Sequence, residues 1–166
     1  VGIGPSSSHT VGPMRAARHF ALSLNAGGAL HGCSRVCCML YGSLALTGRG
    51  HCTDKAILAG LSGRSAEEIA PGELAGIEAD VRARGDLLLA GMRRCGFDMD
   101  GDLQFLTNEL LPAHSNGMRF QAFDDGGRNL AESIYYSVGG GFVVDGDGNP
   151  IDVEGGAGAA QYPYLS

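Results

Sequence analysis

The chain has 166 residues, 44% of them apolar and 18% charged, with a formal net charge of −6 at pH 7. That length suits one domain with a buried core, and that composition excludes a disordered chain. The acidic balance, a single lysine (Lys55) and the lack of a basic stripe exclude nucleic acid as a partner, and no apolar run approaches the ~20 residues of a membrane span.

The first element opens with Gly4-Pro5-Ser6-Ser7-Ser8-His9-Thr10 and runs on into Gly12-Pro13-Met14-Arg15-Ala16-Ala17. A hydroxyl-rich turn opening into a helix gathers Ser and Thr hydroxyls, an imidazole and free backbone N–H groups at one point, which suits a small anion such as a carboxylate. A single hydroxyl suffices for an N-cap, so this segment exceeds what capping needs. Apolar spacing at Met14, Ala17, Ala21 and Leu24 predicts a helix over 13–26, with Pro13 in its first turn and Gly27-Gly28 as its stop.

Residues 34–41 read as a short buried strand, and 43–47 as a turn or brief helix. Thr53 or Asp54 is expected to cap a helix over 55–61, and 73–94 reads as one long amphipathic helix through Leu74, Ile77, Val81 and Leu88. The period then changes. Residues 103–106 read as a strand, and 118–123 alternate as a strand with one wet face does. Asp125-Gly126-Gly127 marks a hairpin turn before a return strand over 129–138, and 141–145 form a last strand. Asp145-Gly146-Asp147-Gly148-Asn149-Pro150 lacks the closing acidic residue of a calcium loop and reads as a solvated turn. Helices early and strands late favour an α+β fold, with helices packed on one face of a mainly antiparallel sheet. Residues 1–150 are expected to form the domain, and 151–166 a tail or the start of a linker.

Glycine is abundant, 28 residues, and falls in short clusters such as Gly139-Gly140-Gly141, which bring backbone close to a ligand or another domain. The cysteines (Cys33, Cys37, Cys38, Cys52 and Cys95) are odd in number and no signal peptide is visible. Reduced thiols and a cytoplasmic setting are therefore expected. Their spacing suits neither a zinc nor an iron–sulfur site, and Cys37 and Cys38 read as small buried hydrophobes.

Four polar clusters fall in loops or at element ends: Ser6 to Thr10, Gly50 to Asp54, His114 to Gly117, and Tyr135 to Gly141. The loop imidazoles His9, His51 and His114 are the natural proton-transfer groups near neutral pH. Taken singly, His114 with Asn116 also reads as a turn builder and Tyr136 as a core residue. His19 and His31 lack such neighbours and read as structural. No P-loop, Gly-x-Ser-x-Gly elbow or His-Glu-x-x-His pattern is present.

Together, Gly4-Pro5-Ser6-Ser7-Ser8-His9-Thr10 with Gly12-Pro13-Met14, Gly50-His51-x-Thr53-Asp54-Lys55, His114-x-Asn116-Gly117-Met118 and Tyr135-Tyr136-Ser137-Val138-Gly139-Gly140-Gly141-Phe142 resemble the amino-terminal (beta) domain of the bacterial iron–sulfur L-serine dehydratases. The resemblance runs from Val1 to about Val144. It implies an L-serine ammonia-lyase that forms pyruvate and ammonia with a 4Fe-4S cluster. The cluster's cysteines would belong to a separate catalytic (alpha) domain, so this chain alone is expected to be inactive. It also implies kinship with the allosteric substrate-binding domain of some D-3-phosphoglycerate dehydrogenases, L-serine as ligand, and a homodimer. On that footing His51, His9 and His114 are candidate catalytic residues. Ser6, Ser8, Thr10, Thr53, Asp54, Asn116, Tyr136, Ser137, Gly139 and Gly140 are candidate substrate contacts. The alternative is a non-catalytic effector module that binds L-serine or a related small acid. A pure dimerisation scaffold is a third reading.

Overall fold

Alternating apolar residues build the sheet, and small residues let the helices lie close against it. The computed structural model describes residues 7–47 and 52–151, the side chains of Ser7, Ser8, Thr47 and Pro71 excepted. A π turn, Ser7–Val11, leads into helix α1, Gly12–Ala26. Strand β1 (Arg35–Tyr41) passes directly into the short helix α2 (Gly42–Thr47). Helices α3 (Thr53–Leu61) and α4 (Pro71–Arg84) follow, then strands β2 (Asp86–Leu89), β3 (Arg93–Gly96), β4 (Leu103–Leu106), β5 (Gly117–Phe123), β6 (Asn129–Gly139) and β7 (Phe142–Asp145).

Among the described residues the strands form one sheet in the order β2-β3-β1-β5-β6-β7, with β4 also paired to β1. The pairings are antiparallel except β1 with β3 and with β4. The expected α+β architecture is what forms. Val36, Cys38 and Leu40 of β1 stand beside Ala122, Phe120 and Met118 of β5, and all six are buried. Phe20 of α1 stacks on Phe120 at 5.4 Å, and Phe120 meets Tyr135 of β6 edge-on at 5.8 Å. Such aromatic contacts add about 0.5–1.5 kcal/mol each beyond the area buried. Helices α1 and α3 touch backbone to backbone at Gly60, where a Cβ would stand 2.3 Å from the Met14 carbonyl oxygen. The opposite face of the sheet carries a smaller cluster of Tyr41, Leu111 and Tyr136.

Three expectations need correction. The helix expected over 73–94 stops at Arg84, because Gly85 takes a left-handed φ of 76° and its N–H closes on the Val81 carbonyl. Beyond it the period is two: Leu87 and Leu89 are buried and Leu88 is exposed, so β2 and β3 form a hairpin. The cap of α3 is also different. Cys52 occupies the N-cap position with a φ of 63° and no side-chain cap, while Thr53 and Asp54 already lie inside the helix. The turn expected before α1 is itself wound as the π turn, and Val11 at the N-cap of α1 has helical angles.

The hairpin at 124–128 closes through the Asp124 carboxylate, which accepts the N–H groups of Gly126 and Arg128 at 2.9 and 2.8 Å. The Asp145 carboxylate does the same for Asp147 and Asn149, so that loop is a turn built on its own backbone. Among the described residues no helix is long and apolar enough to cross a membrane. The expected tail lies, from residue 152 on, outside the described residues.

Candidate functional site

The site grows from His9 in the π turn. Its Nε2 lies 3.3 Å from the Ser43 hydroxyl at the start of α2. Its carbonyl accepts the Thr53 hydroxyl at the start of α3. Thr53 is fully buried and Thr10 nearly so. Thr53 therefore ties two polar clusters together instead of capping its own helix. Ser43 is held in turn by Ser115, whose carbonyl accepts the Ser43 N–H at 2.9 Å. Gly42 makes this possible. Its φ is 52°, and a Cβ there would lie 2.4 Å from the Ser115 carbonyl oxygen.

Asn116 and Ser137 join the third and fourth clusters. The Ser137 N–H donates to the Asn116 carbonyl at 3.0 Å, and Asn116 Nδ2 donates to the Ser137 carbonyl at 3.2 Å. Strand β6 lies against the π turn. Ser137 is fully buried and Asn116 is 8% exposed. Even so, Ser137 Oγ and Asn116 Oδ1 have no hydrogen-bond partner among the described residues. A buried oxygen left open costs about 1–3 kcal/mol.

Arg15 fastens the glycine turn to the helix. Its Nη1 donates to the Gly141 carbonyl at 2.8 Å, and its Nη2 pairs with Glu67. Burial alone would raise the Glu67 carboxyl, but the Arg15 guanidinium and the Ser65 hydroxyl hold it below its ordinary value. Lys55 pairs with Glu78 at 3.5 Å; burial would lower its pKa, and Glu78 with Asp54 raise it on balance.

The four clusters expected from the sequence thus meet at one end of the sheet, through His9, Thr10, Thr53, Asn116, Ser137 and the turn at Gly139 to Gly141. Gly139 and Gly140 both have positive φ, 104° and 65°. Asp54 is buried, and its Oδ1 accepts the Lys55 N–H at 2.9 Å. His114 is half-buried, and its Nδ1 accepts the Asn116 N–H at 3.0 Å, a turn-building contact. Tyr136 packs with Tyr41 and Leu111 on the sheet's other face, away from its neighbour Ser137. Ser8 lies in the π turn, but its side chain is outside the described residues, as are Ser6 and His51 altogether. Ser43 and Arg15 are the members that sequence reading missed. Ser43 follows Tyr41-Gly42, and a glycine at the end of a buried strand is the signal that offered it. His19 is buried, its Nδ1 2.9 Å from the Tyr135 hydroxyl, and His31 lies in a short 3-10 turn.

The donor set does not suit a metal cluster. Among the described residues no three His, Cys, Asp or Glu side chains are grouped to hold a metal ion. Cys33, Cys38 and Cys95 are buried in the core, Cys37 donates to Asp102, and Cys52 is exposed.

The family model for the serine dehydratase beta chain matches residues 1–148. The chain belongs to that family. Its relatives include the L-serine dehydratase of Streptomyces coelicolor, 45% identical over 147 residues that make up 89% of this chain and 32% of that protein. L-serine dehydratase 1 of Escherichia coli is 46% identical over 146 residues, 87% of this chain and 32% of the relative. The L-serine dehydratase of Mycobacterium tuberculosis is 44% identical over 144 residues, 87% of this chain and 31% of the relative. The beta chain described here therefore spans about a third of the length of these relatives.

Proposed function

We propose that this beta chain supplies substrate-binding and proton-transfer residues to an L-serine dehydratase, whose site is completed by a catalytic part corresponding to the unmatched length of the relatives. One observation supports the reading: described members of four polar clusters far apart in sequence are joined by hydrogen bonds at one end of the sheet, where two buried oxygens, Asn116 Oδ1 and Ser137 Oγ, are left unbonded by the described residues. Exposed apolar side chains at the same end support a covering partner. Leu46, Leu110, Val138 and Phe142 are four of the six large hydrophobic residues exposed among the described residues.

In this reading the hydroxyls of Thr10 and Ser137, with Ser6, Ser8 and the Asn116 amide, hold the serine carboxylate and amino group. His9 contacts the bound serine. His51, two residues before the anchored Thr53, takes the α-proton, and His114 shapes the loop that presents Asn116. Gly139 and Gly140 let the backbone approach. The residues of this chain do not suit a 4Fe-4S cluster, so we place any such cluster on the catalytic part and derive no step through it. Five unpaired thiols fit a cytoplasmic enzyme, here taken to work as a homodimer.

The test combines the chain with its catalytic part and follows pyruvate. The pair deaminates L-serine and the beta chain alone does not. His51→Ala lowers kcat on the order of 10²–10⁴-fold with little change in serine affinity, whereas Ser8→Ala mainly raises KM. If neither substitution alters turnover or affinity, the chain is not part of the active site. If the chain binds L-serine yet His51→Ala leaves kcat intact, it is an effector module instead.

A further inference from the structure

We infer that Ser43 is a positioning residue for His9, fixing the plane of its imidazole. This rests on the role proposed above for His9.

The backbone under Ser43 is fixed from two sides. The Gly42 N–H donates to the Glu109 carbonyl at 3.0 Å, and the Ser43 N–H to the Ser115 carbonyl at 2.9 Å. The positive φ of Gly42 sets the angle at which β1 hands over to α2, and the Ser115 carbonyl fills the space a side chain would need there. The Ser43 hydroxyl therefore stands at a defined point, 3.3 Å from His9 Nε2.

His9 is held from the other end too, because the Thr53 hydroxyl engages its carbonyl. One bond anchors the residue's backbone and the other its ring. A serine hydroxyl both donates and accepts. It can donate to a neutral Nε2 or accept from a protonated one, so it follows the ring through a change of charge without losing the contact. An alanine methyl at this position supplies neither partner. The ring then reorients more freely, and its proton affinity changes with the lost hydrogen bond.

The experiment has two arms. In the first, the imidazole ¹⁵N resonances of His9 are followed against pH in the 166-residue chain, as parent, Ser43→Ala and Ser43→Thr. The Ala variant shifts the His9 Nε2 resonance and its titration, and Thr, which keeps a hydroxyl, restores them. In the second, the same substitutions are placed in the enzyme assembled from this chain and its catalytic part. Ser43→Ala lowers kcat on the order of three- to tenfold and moves one limb of the pH profile, with KM little changed, and Thr again restores the parent values. Unchanged His9 resonances in the Ala variant overturn the inference. So does a shifted resonance with unchanged kcat and pH profile. Failure of the parent enzyme to deaminate serine removes the catalytic role of His9, and with it this inference, while the NMR arm still reports whether Ser43 and His9 interact.

Discussion

Two buried polar places stand at opposite ends of β1, and they differ in whether they are closed. At the start of the strand Asp102 is 3% exposed and saturated. It accepts Arg35 Nε at 2.8 Å, the Cys37 thiol at 3.3 Å and the Asp98 N–H at 2.8 Å. Burial, with the Asp102 charge beside it, pushes the Cys37 thiol up to about 11, so it remains a proton donor at neutral pH. The same carboxylate raises the pKa of Arg35. Beyond the other end of the strand lie Asn116 and Ser137, comparably buried, each with an oxygen unbonded among the described residues. In the proposed reading, the polar group at the closed end serves stability, and those at the other end are held in place by their backbones and left open for a ligand.

Removing the closed carboxylate has the largest expected effect. Asp102→Ala strips partners from the Asp98 N–H and the Cys37 thiol, while Arg35, whose side chain is 56% exposed, turns to solvent. The expected loss is about 2–4 kcal/mol, below that of a fully buried ion pair because one partner recovers its hydration. Urea denaturation measures it. In the enzyme assembled with the catalytic part, as proposed, serine turnover per folded molecule is expected to stay at the parent level, since Asp102 lies at the other end of β1 from the Ser43–His9 contact. A loss below about 1 kcal/mol would erase the contrast between the two ends.

Gly42→Ala comes next. The new methyl would meet the Ser115 carbonyl oxygen at 2.4 Å and Leu110 Cδ2 at 2.7 Å, and the backbone would keep a φ of 52°. Leu110 is exposed and can move aside, but the carbonyl belongs to the bend that carries Asn116 into β5. The strain costs about 1–3 kcal/mol. Because Ser43 moves with it, turnover is expected to fall by more than the stability change alone explains. A variant with parental denaturation midpoint and parental kcat would show that the open end tolerates displacement.

The fold was legible wherever period and turn chemistry agreed. Residues 118–123 alternate, and the turn at Asp124 to Gly127 follows them, so β5 and β6 could be read from their own residues. Residues 86–94 could not be read as strand. Leu87, Leu88 and Leu89 are equally apolar, and only packing against the helices decides which of them points inward. The site was legible in its members but not in its joins. His9, Thr53, Asn116 and Ser137 each stand in a polar run that sequence reading singled out. Ser43 does not, because its importance comes from the angle at which Gly42 turns the chain and not from its neighbours in sequence. Tyr136 and Ser137 are adjacent in sequence, and strand alternation sends them to opposite faces of the sheet.

Ser137→Ala has the smallest expected effect on stability and divides the two ends most cleanly. The hydroxyl is fully buried and makes no bond among the described residues, while the two hydrogen bonds that join Ser137 to Asn116 on the Ser137 side use only its backbone N–H and carbonyl. Deleting it removes an unsatisfied polar atom and leaves those bonds in place. The denaturation midpoint should therefore stay within about 0.5 kcal/mol of the parent, or rise slightly. Binding should respond instead. If the hydroxyl completes its bonding with the serine carboxylate or amino group, its loss raises KM for L-serine on the order of three- to tenfold with a smaller change in kcat. Denaturation of the chain and steady-state kinetics of the assembled enzyme measure the two quantities separately. A destabilisation above about 1 kcal/mol would mean that Ser137 Oγ is closed by the fold as Asp102 is, and the distinction between the two ends of β1 would be lost.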